Sequence, residues 1–460
     1  MESPANPVRF NAEVWSCRSK TFQGWLRKCL WDREAKIAGS EALSSALGVI
    51  TATAQYDGLK HALHNRVAWH DSAIWLDLTN QGWEAVKVTG RTWEVVTSPP
   101  ILFRRFSHQR ALPEPAGGGD LHELLHFVNL GDPHQELLFL VYVVCCFVPD
   151  IPHPIVVLHG PQGSAKTTLF RLLRQLIDPS AVGVLSFPHS PSELVQQLSH
   201  HWAPCYDNIS SISTPVSDIL CRTVTGEGFS KRELFSDDED IIYEFRRCVG
   251  MNGVNVVAQK LDLIDRCILF GLEPISPEDR RTEESIWGAF EEARPRLLGG
   301  ALDALSRAIA LRDSVRLATL PRMADFAFWG YAVAEALGHS GEEFLAAYEG
   351  NARARNEEAL LASPVAAMVV ELMEQREEWK GTPTELLDVL EGLAVEHSVN
   401  TKASGWPKAA HTLTRRLNEV QANLRAMGVS IDKGRGGRQR SVVITRVSAG
   451  GNPDVATRAS

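Results

Sequence analysis

Gly160-Pro161-Gln162-Gly163-Ser164-Ala165-Lys166-Thr167 is the stretch on which the fold turns. It matches G-x-x-x-x-G-K-[ST] with one departure, Ala165 in place of the second glycine. In such a loop, backbone N–H groups point inward at phosphate oxygens, the lysine meets the β- and γ-phosphates, and the hydroxyl holds Mg²⁺. The loop must also run from a strand into the amino end of a helix, where the helix dipole favours anions. Ile155–His159 is a short β-rich run directly before it, and Lys166–Ile177 reads as a helix directly after it. With strand, loop, Lys-Thr and helix in order, a nucleotide-binding loop outweighs a plain glycine turn. Alanine at 165 adds only a methyl, but costs ~1 kcal/mol or more if that position needs a positive φ.

A phosphate loop alone does not give hydrolysis. A second strand should end in an acid that orients Mg²⁺ and its water. In Ala203-Pro204-Cys205-Tyr206-Asp207-Asn208 that acid is Asp207, about 40 residues after Lys166. Pro204 is awkward there, because it cannot donate to a sheet ladder. Asn208 stands where many such ATPases place a catalytic glutamate. The competing reading is an Asp-Asn turn. Residues 247–252 read as another strand, ending in Asn252, whose amide could bond an attacking water or the γ-phosphate. Its competitor is a simple Asn252-Gly253 turn. Arg266 lies between a short helix and a buried strand, where an arginine can reach a neighbouring subunit's γ-phosphate. Its competitor is an Asp265–Arg266 surface pair, usually worth under ~1 kcal/mol.

The rest of the chain sets bounds. Its 460 residues are 44% apolar and 22% charged, which excludes a wholly disordered chain, a collagen-like fibre or a disulfide-dense miniprotein. Eight cysteines without a C-x-x-C point to a reduced, cytoplasmic protein. No apolar signal core opens the sequence, and the longest apolar run, Leu137–Val148, is 12 residues, so no membrane contact is expected. The net charge of −9 is uneven: residues 401–446 hold ten Lys/Arg against Glu419 and Asp432, while residues 1–400 carry −17. A basic module on an acidic body suggests a local polyanion contact.

Residues 1–112 read as a small α+β domain, with a helix over 41–56 and strands at 66–70, 73–78, 83–89 and 93–97. Residues 113–119, Pro-Glu-Pro-Ala-Gly-Gly-Gly, form a linker by composition. Residues 121–148 read as helical. Residues 121–350 make an α/β core with a helical extension, 363–446 a last basic domain opened by Ser363-Pro364, and 447–460 a flexible tail.

The segments GPQGSAKTT (160–168), YDNIS (206–210), LCRTVTGEGFSKRELFSDDED (220–240), VGMNG (249–253) and DLIDR (262–266) resemble, in order and spacing, the AAA+ ATPase core of superfamily 3 helicases. More particularly, they resemble the helicase half of primase-helicases from phages, plasmids and integrated elements. The similarity covers roughly residues 121–310, with a weaker likeness in the C-terminal domain. The resemblance implies an AAA+ P-loop NTPase core that binds ATP through Gly160, Pro161, Gln162, Gly163, Ser164, Ala165, Lys166, Thr167 and Thr168. It implies Mg²⁺ at Thr167 and Asp207, Asn252 as sensor and Arg266 as finger. It makes the chain a DNA helicase acting in replication as a homo-oligomeric ring, hexameric in such families, on single-stranded DNA. Lys231 and Arg232 then face the pore, although the neighbouring Glu233 and Asp237–Asp240 suit a structural hairpin equally well. Asn208 leaves a second reading open, a nucleotide-switched DNA-binding or loading factor with little ATPase activity. No primase acid cluster is visible in the first 120 residues, so priming is not carried over.

Two further features need weighing. His122-Glu123-Leu124-Leu125-His126 is a literal H-E-x-x-H, the zinc-protease pattern. On a helix with Leu121, Leu124, Leu125 and Val128 along one stripe, packing explains it better. The last domain reads helix, helix, helix, strand, turn, strand, with Thr384 and Glu385 opening the second helix. Arg415 and Arg416 lie off the apolar face of the third helix, and Arg435, Arg438 and Arg440 sit at a hairpin tip. This resembles a winged helix binding duplex DNA; a protein-docking module is the alternative.

Overall fold

The computed structural model describes residues 14–210, 212–232, 240–253, 261–361, 363–374, 376–397, 399–402, 406–436 and 439–446. Two helices come first, α1 (Lys20–Glu34), capped by Ser19, and α2 (Ser40–Tyr56). β1 (Leu63–His64) precedes an antiparallel meander of β2 (Val67–His70), β3 (Ala73–Asp77), β4 (Ala85–Val88) and β5 (Trp93–Val96); β6 (Leu102–Phe103) then returns parallel to β1. Alternation along the strands splits the meander between two cores. Ile74, Leu76, Val86 and Val88 join the main core of the molecule, whereas Ala73, Trp75 and Ala85 pack with Ile101 and Phe103 on the other face. A buried ion pair ties this sheet down: Arg66 donates to Asp178 Oδ1 at 2.9 and 3.0 Å, while Asp178 Oδ2 accepts from the Trp202 and Ala203 N–H groups. Burial pushes the Asp178 carboxyl up, but the Arg66 and Arg174 guanidinium groups outweigh it and hold the pKa down at about 2.

Residues 113–119 are a packed strap where composition suggests a linker. A Cβ on Gly119 would lie 2.0 Å from the Arg296 carbonyl oxygen, and one on Gly299 would lie 1.7 Å from that of Ala116. Gly119 and Gly299 serve close backbone approach, whereas Gly117 and Gly118 are exposed and Gly118 takes a left-handed φ of 71°. The helix expected over 121–148 is also broken. Leu121–Phe127 is a 3₁₀ segment, and Asp132-Pro133 starts a new helix, α3 (Pro133–Cys145), by side-chain capping and a proline in its first turn.

Alternation of strand and helix follows: β7 (Ile155–His159), α4 (Lys166–Ile177), β8 (Leu185–Ser186), α5 (Pro191–His200), β9 (Cys205–Asp207), α6 (Thr214–Thr225), the hairpin β10 (Phe229–Arg232) and β11 (Asp240–Tyr243), β12 (Gly250–Asn252), α7 (Leu261–Ile264) and β13 (Cys267–Gly271). Five of these strands form a parallel sheet in the order β13-β7-β12-β9-β8. Pro204 lies just before β9, where its carbonyl accepts from Gly250 N–H at 2.9 Å and no donor is asked of it. The long α8 (Glu283–Leu311), α9 (Ala324–Leu337) and α10 (Gly341–Leu361) complete this body.

A second core lies beyond residue 363. α11 (Pro364–Glu374), α12 (Pro383–Glu396) and α13 (Ala410–Ala426) pack Val369, Leu386, Leu417 and Leu424 against a three-stranded antiparallel sheet. Its order is β14 (Glu378–Gly381), β16 (Gln439–Arg446), β15 (Val429–Gly436). α12 begins at Pro383, one residue before the expected Thr384, because Thr382 and Glu385 make a reciprocal capping box around Pro383. No helix among the described residues is long and apolar enough to cross a membrane.

Candidate phosphate-loop site

The strand order creates the site. β12 enters the sheet between β7 and β9, so the loop after β7 and the last residues of β9 and β12 meet at one carboxyl edge. Open parallel sheets bind ligands in such crevices, beside a reversal of strand order. Thr167 Oγ1, in the first turn of α4, donates to Asp207 Oδ2 at 2.8 Å. Asn252 is buried, its Oδ1 accepts from Asn208 N–H at 2.7 Å, and its carbonyl accepts from Ile209 N–H. With Oδ1 so engaged, Nδ2 is left as a buried donor with no hydrogen-bond partner among the described residues.

The loop itself is wound through left-handed backbone. Gly160 has φ 137° and Gly163 φ 82°, and a Cβ on Gly160 would stand 2.3 Å from the Leu272 carbonyl oxygen. Ala165 has φ 59° and ψ 26° as the residue preceding α4, so the position does need a positive φ and the alanine sits there under strain. Lys166 Nζ is gathered over the loop, donating to the carbonyls of Gly160 and Pro161 at 2.9 and 2.7 Å and to Ser164 Oγ at 3.2 Å. Gln162 is exposed at the crest, and Thr168 is half-buried on α4. Asn208 is exposed with φ 56°, a conformation asparagine tolerates better than most residues.

Beside the loop opens a cavity of about 570 Å³, lined by His126, Asn129, Ala165, Leu169, Glu273 and Arg280 among others. That volume suits a ligand of nucleoside size. Sequence reading missed it, because its walls come from three separated segments and no local spacing marks them.

Arg266 lies at the opposite edge of the same sheet. Its carbonyl accepts from Ile155 N–H, the first residue of β7, so the length of a strand, about 13 Å, separates it from the loop. Its guanidinium bonds Asp262, not Asp265 as the surface-pair reading had it. Asp265 pairs instead with Arg322, at 2.6 Å, and Arg322 also reaches Asp262 at 2.9 Å. The Arg322 side chain is 47% exposed and that of Arg266 16%, so Arg322 is the more reachable arginine of this edge.

The basic residues fall elsewhere. Lys231 and Arg232 lie on β10, with Arg232 opposite Asp240; Glu233 and residues 237–239 lie outside the described residues. Arg415 and Arg416 both approach Glu419 on α13, at 3.9 and 3.0 Å. Arg435 and Arg440 are register partners across β15 and β16, and Arg438 lies outside the described residues, as does the tail from 447. The H-E-x-x-H reading falls on geometry. A 3₁₀ segment turns every three residues, so His122 and His126, four apart, leave a common face. His122 contacts Asp120 and His339 instead, and Glu123 pairs with Arg296. Among the described residues no group of three or more His, Cys, Asp or Glu side chains is placed to hold a metal ion.

Loop, sheet order and the Thr167–Asp207 contact define a P-loop-like α/β core. The chain belongs to the actinomycete integrative conjugative element replication proteins, whose family model matches residues 121–356. A model of the AICE RepA C-terminal domain matches residues 365–457. No curated protein matches the sequence. Among solved structures, the apo A form of the NrS-1 C-terminal region is similar at 12% identity, over 79% of this chain and 94% of that one, with a TM-score of 0.33. The JCV helicase is similar at 14% identity, over 48% and 65%, with a TM-score of 0.24.

Proposed function

We propose that this replication protein is an ATP-hydrolysing DNA helicase or translocase of its mobile element, built like the superfamily 3 enzymes and acting as a ring, with six subunits the expected number. The hydrogen bond between Thr167 and Asp207 carries the reading. It joins two residues 40 positions apart that a P-loop motor needs side by side, at the mouth of a loop holding Lys166. In this reading Lys166 exchanges its loop carbonyls for phosphate oxygens, and the N–H groups of residues 160–168 cradle the chain of phosphates. Thr167 and Asp207 would hold Mg²⁺, which would supply positive charge to offset that of the phosphates. The uncommitted Nδ2 of Asn252 orients the attacking water or the γ-phosphate. The cavity toward His126 and Arg280 takes the nucleoside. Arg266 lies too far from its own loop to act there, so its role falls in trans, on the next subunit.

DNA contacts are assigned to Lys231 and Arg232 for a single strand in the ring. Residues 363–446 are read as a winged helix on duplex, through Arg415, Arg416, Arg435, Arg438 and Arg440. Asn208 favours the second reading, a nucleotide switch with slow turnover, because an exposed amide cannot serve as general base. ATPase assays with and without single-stranded DNA, alongside particle mass with ATP, decide between them. DNA-stimulated turnover in an oligomer supports the motor; tight ATP binding with negligible turnover supports the switch.

A further inference from the structure

The first two helices bury almost nothing. Between residues 14 and 62 Leu43 is the one buried side chain, and α1 has none. Seven of the twelve large apolar side chains that stand exposed among the described residues lie between Trp25 and Leu63, including Trp31, Val49, Tyr56 and Leu59. Trp15, Phe22 and Trp25 cluster on one another and, among the described residues, on no other ring, with centroids 5.6 to 6.2 Å apart. An open groove of about 430 Å³ is lined by residues of both helices, with Cys17, Gln23, Leu47 and Tyr56 among its lining. So much apolar surface gathered in one short stretch marks an interaction site.

Charge says what covers it. Residues 14–38 hold six Lys/Arg against Asp32 and Glu34, a net +4, whereas residues 39–400 carry −20. Lys20, Arg27 and Lys28 are exposed on the same helix as Trp25 and Trp31. A symmetric arm-to-arm contact would set these cations against each other. A heterologous contact sets them against the acidic body of another copy, and contacts of that type make rings where the rotation closes. A polyanion would match α1 but not α2, whose exposed Val49 and Tyr56 stand in a run from Ile37 to Leu59 without a single Lys or Arg. We propose that residues 14–62 are the arm by which one copy of this chain docks on the acidic, partly apolar body of the next. The inference rests on the ring reading above and names the surface that builds it.

The test uses the full chain in three forms: unaltered, with Trp25→Ala and Trp31→Ala together, and with Lys20→Glu, Arg27→Glu and Lys28→Glu together. Sedimentation velocity with ATP and Mg²⁺, at low and high salt, reads assembly; melting temperature and single-stranded DNA affinity are read in parallel. Both variants should melt like the unaltered protein, because α1 contributes nothing to the core. Each should weaken assembly at least tenfold, and added salt should weaken assembly of the unaltered chain. Variants that assemble undiminished overturn the arm while leaving the ring standing. So does loss of DNA affinity with assembly intact, which would make the arm a nucleic-acid site. An unaltered chain that stays monomeric in every condition removes the ring reading itself, and the arm with it.

Discussion

The two edges of the parallel sheet differ in how their polar groups are committed. At the carboxyl edge the partners are local and exchangeable: Lys166 rests on its own loop, and Asn252 keeps a buried donor unused. At the amino edge they are saturated, with Arg266, Arg322, Asp262 and Asp265 joined in one cluster. An unused buried donor costs free energy, about 1–3 kcal/mol, and persists where something else repays it. A saturated cluster needs no ligand and holds its arginines in place. In the function proposed above, chemistry in cis is assigned to the carboxyl edge, and any part played by the amino edge falls on a neighbour.

The sharpest way to break that contrast is Lys166→Ala. It removes a phosphate-directed charge and no core volume, so ATP turnover should vanish while the melting temperature stays put. Unchanged turnover in the folded variant would remove the carboxyl edge as the seat of chemistry.

Next in size are the arginines. Arg266→Ala should still bind ATP but hydrolyse it slowly, by about 10³-fold if it matches the fingers measured in GTPases. Mixing it with Lys166→Ala should recover some turnover, because an intact loop would then face an intact arginine from the other subunit. Arg322→Ala sharpens the assignment. If the more exposed arginine is the one that reaches across, this variant shows the larger loss and the rescue. If neither mixture recovers activity in oligomers shown to exchange subunits, the amino edge is structural and its cluster an ion-pair lock.

Asn252→Ala should come third, at about 10²-fold in turnover with ATP affinity little changed, the size seen when one preorganised donor is removed. An affinity loss instead would make Asn252 a strand-end brace for Asn208 and Ile209.

What could be read from sequence follows a physical line. The loop, its strand and its helix are local, and spacing alone places Lys166 and Thr167. The parallel order follows less directly; that β12 lies between β7 and β9, so that Asn252 neighbours Asp207, is a matter of long-range pairing. The cavity walls at His126, Leu169 and Glu273 converge only in three dimensions. Composition misleads at 113–119, since glycine signals both freedom and close packing, and only the α8 backbone tells which. The H-E-x-x-H spacing assumes an α-helix; a 3₁₀ turn of the same residues dissolves it. β14 is too short, at four residues with Trp379 the one buried side chain, to stand out as a strand, and the capping Thr382 lies four residues ahead of Leu386, where the buried stripe of α12 starts.

The smallest expected effect concerns Ala165 and tests whether the carboxyl edge is strained as well as uncommitted. A left-handed conformation costs a residue with a Cβ about 1–2 kcal/mol. Glycine removes that cost but loses more entropy on folding, by about 0.4–1 kcal/mol. The balance favours Ala165→Gly, which should stabilise the protein by ~0.5–1 kcal/mol in denaturant unfolding of the body that holds the loop. It also restores the full G-x-x-x-x-G-K-[ST] pattern, so phosphate binding should be kept. Two results are informative in opposite directions. Greater stability with unchanged turnover means the methyl is a tolerated departure. Greater stability with faster turnover means the strain at 165 holds the motor back, together with Asn208, and the slow-switch reading gains. Lower stability would show that Ala165 does not hold φ near 59° in solution, and that the loop opens α4 by another path.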